Sequence, residues 1–538
     1  MNLNYHNFLI FITGACILAL EILASRVETP YFGVSLYIWS AILATTLFFL
    51  ALGYYSGGIL SAASKRDKLE IYFLCSPLAA SLSILVACLV YPVLFPVLGK
   101  INLLMGSFVG AIILLGIPLI CLSAMNPMLI TLSRRDDQAG DAGAGRVFFI
   151  STSGSVLGVF LTAFVLIPNT SNFNALLGIS LLLIIFVIFN VVMGQGITQL
   201  AKTRLLIGLI LGTIFCVSLL VFKNHYLDQI SSLRHIPKTA QVLAEYHTLF
   251  GNTKVIAHIQ EQTGITRYQT LMQDGHILNN TLPDGTSLDS YTYVLEALAQ
   301  MFSPHGKHIL VLGLGAGIVP ARMSSKGSDV TVVELDKGVI QAAKEYFNFK
   351  TSTINLVQED ARTFVRHCPR YYDTVIVDLF HGDGIPDYLM TAEFFYDIKT
   401  CMTPDGSLVM NSFFDNSNRN LNLYIPATLA RSFPFIYQAV WSDAAHMDRH
   451  YPIVNMYLVG RNAEGEEAVS PYMENMPGLL KSEYTDTLAT LKRISNEHLT
   501  AIPVITDEKN FYNITFAKMH MTYRNLVLQT LSPLLLIN

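Results

Sequence analysis

The chain is poor in charge. Asp, Glu, Lys and Arg make up 14% of its 538 residues, against 52% hydrophobic ones, well below the charged share of an ordinary soluble protein. There is no polybasic arm and no block of like charges, and the net charge of −4 gives nucleic-acid binding no support. The seven cysteines, at 16, 75, 88, 121, 216, 368 and 401, are scattered, five lie in apolar runs, and none forms a C-x-x-C pair. That spacing predicts buried small residues, with neither a disulfide framework nor a metal site. No G-x-x-x-x-G-K-[ST] loop occurs, which disfavours ATP.

What the chain has instead is apolar length. Mean hydropathy is +0.45, and the excess is concentrated in residues 1–222. About 20 apolar residues cross a bilayer core as a helix, and seven such stretches occur, at roughly 8–24, 35–58, 71–97, 102–131, 147–168, 173–194 and 205–222. The first lacks a basic leader, contains Glu21 and precedes further spans, so it does not read as a cleaved signal peptide. Glu21 is the one acid expected well inside a run, with Arg26 five residues on. Gly154-x-x-x-Gly158 and Gly53-Tyr54-Tyr55-Ser56-Gly57-Gly58 predict close helix packing. Asn126-Pro127 is expected to break the end of span four, and Pro118 to kink it.

Lys65, Arg66 and Lys68, then Arg134, Arg135 and Arg146, then Lys202 and Arg204 fall in alternate loops. The positive-inside rule puts those loops in the cytoplasm, and seven spans then bring the rest of the chain out on the other side. The expected location is a cell membrane, multi-pass, with the side of the soluble half left open.

The composition changes near Phe222-Lys223. The chain is expected to divide into a transmembrane helical domain at 1–222, a linker and β-hairpin region at 223–285, and a Rossmann-like domain at 286–538. From Lys307 onward strands and helices alternate, the pattern of a parallel sheet covered on both faces. His308-Ile309-Leu310-Val311-Leu312 runs into Gly313-Leu314-Gly315-Ala316-Gly317, glycines that let the backbone turn and approach a ligand. Val330-Thr331-Val332-Val333 ends in Glu334, 21 residues after Gly313, where a ribose diol expects its acceptor. Ile354-Asn355-Leu356-Val357 leads to Glu359-Asp360-Ala361, with Asp360 placed for an adenine amino group, and Thr374-Val375-Ile376-Val377 ends in Asp378. Ligands bind at this edge of such sheets. In G-x-G-x-x-G the third glycine would fall on Ile318, whereas Gly317 comes one residue earlier, which suits an adenosyl sulfonium better than a pyrophosphate.

These motifs, with Tyr268-Gln269 and Gln273-Asp274-Gly275 before them and Asp378-Leu379-Phe380-His381-Gly382-Asp383-Gly384-Ile385-Pro386 after, resemble the spermidine synthase (polyamine aminopropyltransferase) family, its membrane-fused members in particular. The likeness covers roughly residues 250–460. It implies an α/β Rossmann-like methyltransferase/spermidine synthase-type domain preceded by a seven-helix transmembrane domain. By that resemblance Gln269, Gly313, Gly315, Gly317, Glu334, Asp360 and Ala361 would hold decarboxylated S-adenosylmethionine or S-adenosylmethionine as group donor, with no metal. Asp378 would be the general base that deprotonates an attacking amine, and Tyr291 and Asp383 would face the acceptor.

The family's amine-gripping aspartate corresponds to Ala316, and its Tyr-His-Glu motif to Tyr291-Thr292-Tyr293. An altered acceptor, lipid-linked or peptide-borne, is therefore expected as readily as a polyamine such as putrescine. The alternatives are an S-adenosylmethionine-dependent methyltransferase on the same fold, and a transporter or sensor with a nucleoside-binding soluble domain. The expected partners are a small amine and the lipid bilayer, with a homo-oligomer left open.

Overall fold

The computed structural model describes residues 3–33, 36–133, 142–193, 199–233, 240–260, 262–380, 383–443, 451–464 and 476–537. Arg134, Arg135, His381 and Gly382 lie outside them. The chain divides into two compact units, Met1–Pro237 with Leu528–Asn538, and Lys238–Val527.

Among the described residues, the first unit holds seven helices long and apolar enough, by length and composition, to cross a membrane. They run Leu3–Phe32, Leu36–Ala63, Arg66–Ile101, Leu103–Ser133, Ala142–Leu161 continued to Asn169, Asn172–Met193 and Gln199–Leu233. Close packing follows from the small residues. A Cβ on Gly154 or Gly158 would lie 1.9 Å from the Phe11 carbonyl oxygen or 2.2 Å from that of Ala15, so helices one and five meet backbone to backbone, as GxxxG faces do. Gly53 and Gly57 press in the same way on Ile120, Ser123 and Ala124 of helix four, while Gly58 faces open space.

Two expectations give way. Helix four runs unbroken through Asn126-Pro127 to Ser133; buried Asn126 donates from Nδ2 to Ser151 Oγ at 3.4 Å. The first helix continues to Phe32, which brings a second acid into it. Glu21 is half-buried, whereas Glu28 is sealed from solvent.

The second unit opens with an antiparallel meander of β1 (Ala240–His247), β2 (Asn252–Ile259), β3 (Thr266–Gln273) and β4 (His276–Thr281). Asp274 and Gly275, both at positive φ, make the tight turn between β3 and β4. After the helix Ser290–Phe302 come β5 (His308–Leu312), β6 (Asp329–Glu334), β7 (Ile354–Gln358), β8 (Tyr372–Val377), β9 (Met402–Asp415), β10 (Phe435–Val440), β11 (Ile453–Arg461) and β12 (Lys492–Ile494). They form one sheet in the order β12-β10-β11-β9-β8-β5-β6-β7. From β9 to β7 the pairs are parallel, and from β12 to β9 antiparallel.

Alternation along the central strands fills a core on each face. Leu310, Leu312, Val375 and Val377 enter one cluster, and Ile309, Val311 and Ile376 the other. Each fully buried aliphatic side chain contributes about 1.5–3 kcal/mol. Because β5 pairs with both β6 and β8, the strand order reverses at its end, and a crevice opens there.

Candidate active site

Three glycines at positive φ shape the loop after β5: Gly313 (φ 96°), Gly315 (φ 53°) and Gly317 (φ 77°). Each is also sterically required. A Cβ would stand 2.1 Å from the Asp378 carbonyl oxygen at Gly313, 2.5 Å from Asn279 Oδ1 at Gly315 and 2.4 Å from the Phe349 ring at Gly317. Register does the rest: Leu312 pairs with Val333 on one side and Val377 on the other, so Gly313, Glu334 and Asp378 leave the sheet side by side.

Glu334 accepts from the backbone N–H of Leu314 at 3.0 Å and of Asp336 at 2.8 Å. Burial pushes its carboxyl up to about 7, against the pull of those two N–H groups. Asp336 accepts from Gly338 N at 2.8 Å, capping the helix Lys337–Tyr346, and from Gln273 Nε2 at 2.6 Å. The β3–β4 turn is thereby fastened to the tip of β6. Asp360 caps the helix Ala361–Arg366 through Thr363 N at 2.9 Å, and its other oxygen takes the Tyr388 hydroxyl at 2.7 Å. Ala361 is buried at the start of that helix. Gln269 lies on β3 opposite Thr281 of β4.

Asp378 is enclosed at the end of β8. Its Oδ1 accepts from Asn411 Nδ2 at 3.0 Å, and Asn411 Oδ1 in turn accepts from Asn455 Nδ2 at 3.1 Å. Burial pushes the Asp378 carboxyl up to about 6, while hydrogen bonds from Asn411 and Tyr291 pull it down. The Tyr291 hydroxyl also accepts from Asn279 Nδ2 at 2.7 Å, and Asn279 Oδ1 accepts from Ala316 N at 2.7 Å. Asn279 thus links β4, the glycine loop and Tyr291. A small cleft is lined by Asn279, Tyr291, Gly313, Leu314 and Asp378, among others. Asp289, held by Asn280 N and Nδ2 at 2.6 and 2.9 Å, is a second carboxyl pushed up to about 6 by burial.

Asp383 is buried, but its carboxylate meets Arg524 Nη2 at 2.6 Å, and that guanidinium is wholly enclosed. Arg524 comes from the helix Tyr512–Thr530. From the same helix Tyr523 places its hydroxyl 2.9 Å from His276 Nδ1, and its ring 5.0 Å from that of Phe413. Phe380, two residues past Asp378, packs on His276 and Phe413. Asn279, Asp289, Asn411 and Arg524 belong to no motif, and none stands in a spacing that marks it.

Residues 288–441 match the family described as spermine/spermidine synthase domain. This unit is spermidine synthase-like. A polyamine aminopropyltransferase of Vibrio vulnificus is 36% identical over 130 residues, 23% of this chain and 44% of the relative. An N-terminal histidine N-methyltransferase of Emericella nidulans is 31% identical over 186 residues, 32% of each protein. The chain therefore spans less than half the length of these two curated relatives. The crystal structure of a probable spermidine synthase from Corynebacterium glutamicum covers 50% of this chain and 97% of its own, at 18% identity and a TM-score of 0.40. Cysteine pairing corrects the sequence reading: Cys368 and Cys401 of the spermidine synthase-like unit form a disulfide, with Cα atoms 5.7 Å apart.

Proposed function

We propose that the spermidine synthase-like unit transfers an aminopropyl group from decarboxylated S-adenosylmethionine to an amine, in a chain anchored in a bilayer by its apolar helices. The observation that carries this reading is Asp378, a buried carboxylate next to the glycine loop with its pKa held near 6. A base of that pKa is largely ionised at neutral pH and still basic enough to take a proton as the new bond forms.

An ammonium acceptor is unreactive until it loses a proton. Asp378 accepts that proton, the amine nitrogen bonds to the propyl carbon, the C–S bond breaks, and its electron pair leaves on sulfur as a neutral thioether. When bound, the donor supplies the sulfonium that makes this carbon electrophilic. Glu334 is suited to accept from a ribose diol, with Gln269 and Ala361 flanking the nucleoside; Asp360 is already occupied by Thr363 and Tyr388. The glycine loop lets the donor come within contact of the backbone, and Asn411 and Tyr291 hold the base in place. Proximity then lowers the barrier further.

With Asp383 neutralised by Arg524, the acceptor is not gripped at its far end by a free Asp383 carboxylate. This supports an acceptor other than a simple diamine.

Methyl transfer from S-adenosylmethionine is the second reading. It is favoured by Ala316, which removes the amine-gripping acid, and by likeness to a histidine N-methyltransferase. Incubation of the purified chain with each sulfonium donor and an amine panel separates the two. Methylthioadenosine as product supports aminopropyl transfer, and S-adenosylhomocysteine supports methyl transfer; neither product overturns both readings.

A further inference from the structure

Asp378 shares its end of the sheet with two further carboxyls. Asp289 immediately precedes the helix Ser290–Phe302, and Glu483 lies in the first turn of the helix Lys481–Ala489. Ser290 Oγ and Trp441 Nε1 both donate to Glu483 Oε1, which fixes Glu483 against the residue next to Asp289. The backbone N–H of Trp441 donates to the Asn455 carbonyl at 2.9 Å. Asn455 in turn holds Asn411, the residue that donates to Asp378. One run of hydrogen bonds therefore links Glu483 to Asp378 on one side and to the start of the Ser290 helix on the other.

The three acids are not sealed. Asp289, Asp378 and Glu483 are each half-buried. Both donors to Glu483 fall on Oε1, whereas its Oε2 has no partner among the described residues and is open to solvent. None of the three carboxyls forms an ion pair among those residues.

A hydroxyl with nothing to bond stands among them. Tyr457 is 0% exposed, and its Oη is buried without a hydrogen-bond partner among the described residues. Tyr457 lies opposite Asn411 in the β9–β11 register, and opposed residues project from the same face. Burial raises the Tyr457 hydroxyl, and the charges of Glu483, Asp378 and Asp289 each raise it further. All three acids are thus within electrostatic reach of that one hydroxyl. An unpaired buried hydroxyl is costly, and neighbouring carboxylates disfavour each other's charge. A donor of hydrogen bonds that also carries positive charge answers both.

The spacing says what kind of cation. A metal ion needs its hard ligands to converge on one point, and no group of three His, Cys, Asp or Glu side chains that could hold one occurs among the described residues. Carboxyls spread along a crevice suit a cation whose charges are also spread. Each ammonium of a flexible chain can then meet its own carboxyl. The Tyr457 hydroxyl can accept one N–H while donating to a carboxylate.

We propose that Asp289 and Glu483 select the acceptor of the Asp378 cleft, and that this acceptor is a linear polyamine with two cationic groups besides the amine that reacts. Asp378 serves the reacting amine, Asp289 and Glu483 take the two remaining charges, and Tyr457 accepts from the chain between them. A diamine leaves one acid without a partner. The inference rests on the transferase reading of the cleft and supplies the charge of its acceptor.

Calorimetric titration of the detergent-solubilised full chain, with methylthioadenosine in excess, compares putrescine with spermidine. Spermidine is expected to bind at least tenfold more tightly. Glu483→Gln keeps an oxygen for Ser290 and Trp441 but removes the charge, and is expected to weaken spermidine at least tenfold while changing putrescine less than threefold. Tyr457→Phe removes only a hydroxyl that bonds to no described residue, so its unfolding temperature is expected to hold while spermidine weakens severalfold. Equal affinity for the two amines, or unchanged spermidine affinity in both variants, overturns the proposal. The readout is amine binding without turnover, so its failure is distinct from that of the transferase reading. Methylthioadenosine formation from a sulfonium donor with spermidine affinity unchanged in both variants sinks this proposal alone. Variant-sensitive spermidine binding with no such product sinks the transfer reading and leaves the polyamine site standing.

Discussion

The guanidinium of Arg524 lies 2.6 Å from the carboxylate of Asp383, and both are sealed from solvent. The acid belongs to the loop that follows the proposed base, and the cation to a helix more than a hundred residues further along the chain. Arg524 also donates from Nη1 to the Asp274 carbonyl at 3.3 Å, so it ties the loop after β8 to the β3–β4 turn.

Removing one member of such a pair leaves a buried charge uncompensated, which costs about 3–5 kcal/mol. Arg524→Gln and Asp383→Asn are each expected to lower stability by that order in chemical denaturation of the detergent-solubilised chain. The double substitution is expected to cost clearly less than the two together. Additive losses would mean that the two groups are not coupled and that Asp383 is free to meet an acceptor.

As the proposed base, Asp378 would set a pH dependence whose sign follows from that role. A base must be ionised to act, and burial raises its pKa from the ordinary carboxylate range to about 6. The rate is expected to rise tenfold per pH unit below about 6 and to level off above it. Asn411 donates to the ionised form, so Asn411→Leu is expected to move the acid limb upward by roughly one pH unit. Asp378→Asn is expected to lower kcat by about 10²–10⁴. An acid limb that stays in place in Asn411→Leu would detach it from Asp378.

The parallel sheet, its glycine loop and the acids at its strand ends were legible in the sequence because each is local. A mainly apolar run of four leading into Gly313, Glu334 or Asp378 identifies itself. Groups brought in by tertiary contact were not legible. Asn279 and Asn411 reach the cleft from β4 and β9 through sheet register and meander turns, and single asparagines carry no periodic signal. Arg524 sits far along the chain, in a helix with no motif. Glu28 lies beyond the apolar run, which ends near residue 24, while the helix continues to Phe32 through packing on helices three and four.

Two glycines offer a matched comparison. Gly315 and Gly327 both have positive φ, so alanine strains either backbone by about 1 kcal/mol. At Gly327 nothing lies within 4 Å of the new Cβ, whereas at Gly315 it meets Asn279 Oδ1 at 2.5 Å. Gly315→Ala is therefore expected to push Asn279 off Ala316 N and Tyr291, raising KM for the donor about tenfold or more. Gly327→Ala is expected to lower stability slightly and leave the kinetics unchanged. Equal kinetics in both variants would remove Asn279 from donor binding.

The Cys368–Cys401 disulfide closes a loop of 33 residues, worth about 3–4 kcal/mol on chain entropy, and it bears on which side of the membrane the second unit occupies. Disulfides persist in oxidising compartments. The basic residues Lys65, Arg66 and Lys68 after helix two, Arg146 before helix five, and Lys202 and Arg204 at the start of helix seven fall on one common side of seven spans. If these helices cross a bilayer, the positive-inside rule makes that side cytoplasmic and would bring the chain out on the opposite side after helix seven. Charge distribution and cysteine pairing thus point the same way by independent physics. Intact cells quenched with acid, then denatured and labelled with a maleimide, are expected to show five reactive thiols per chain before reduction and seven after it. Seven reactive thiols before reduction would place the unit in a reducing compartment, where sulfonium donors are made.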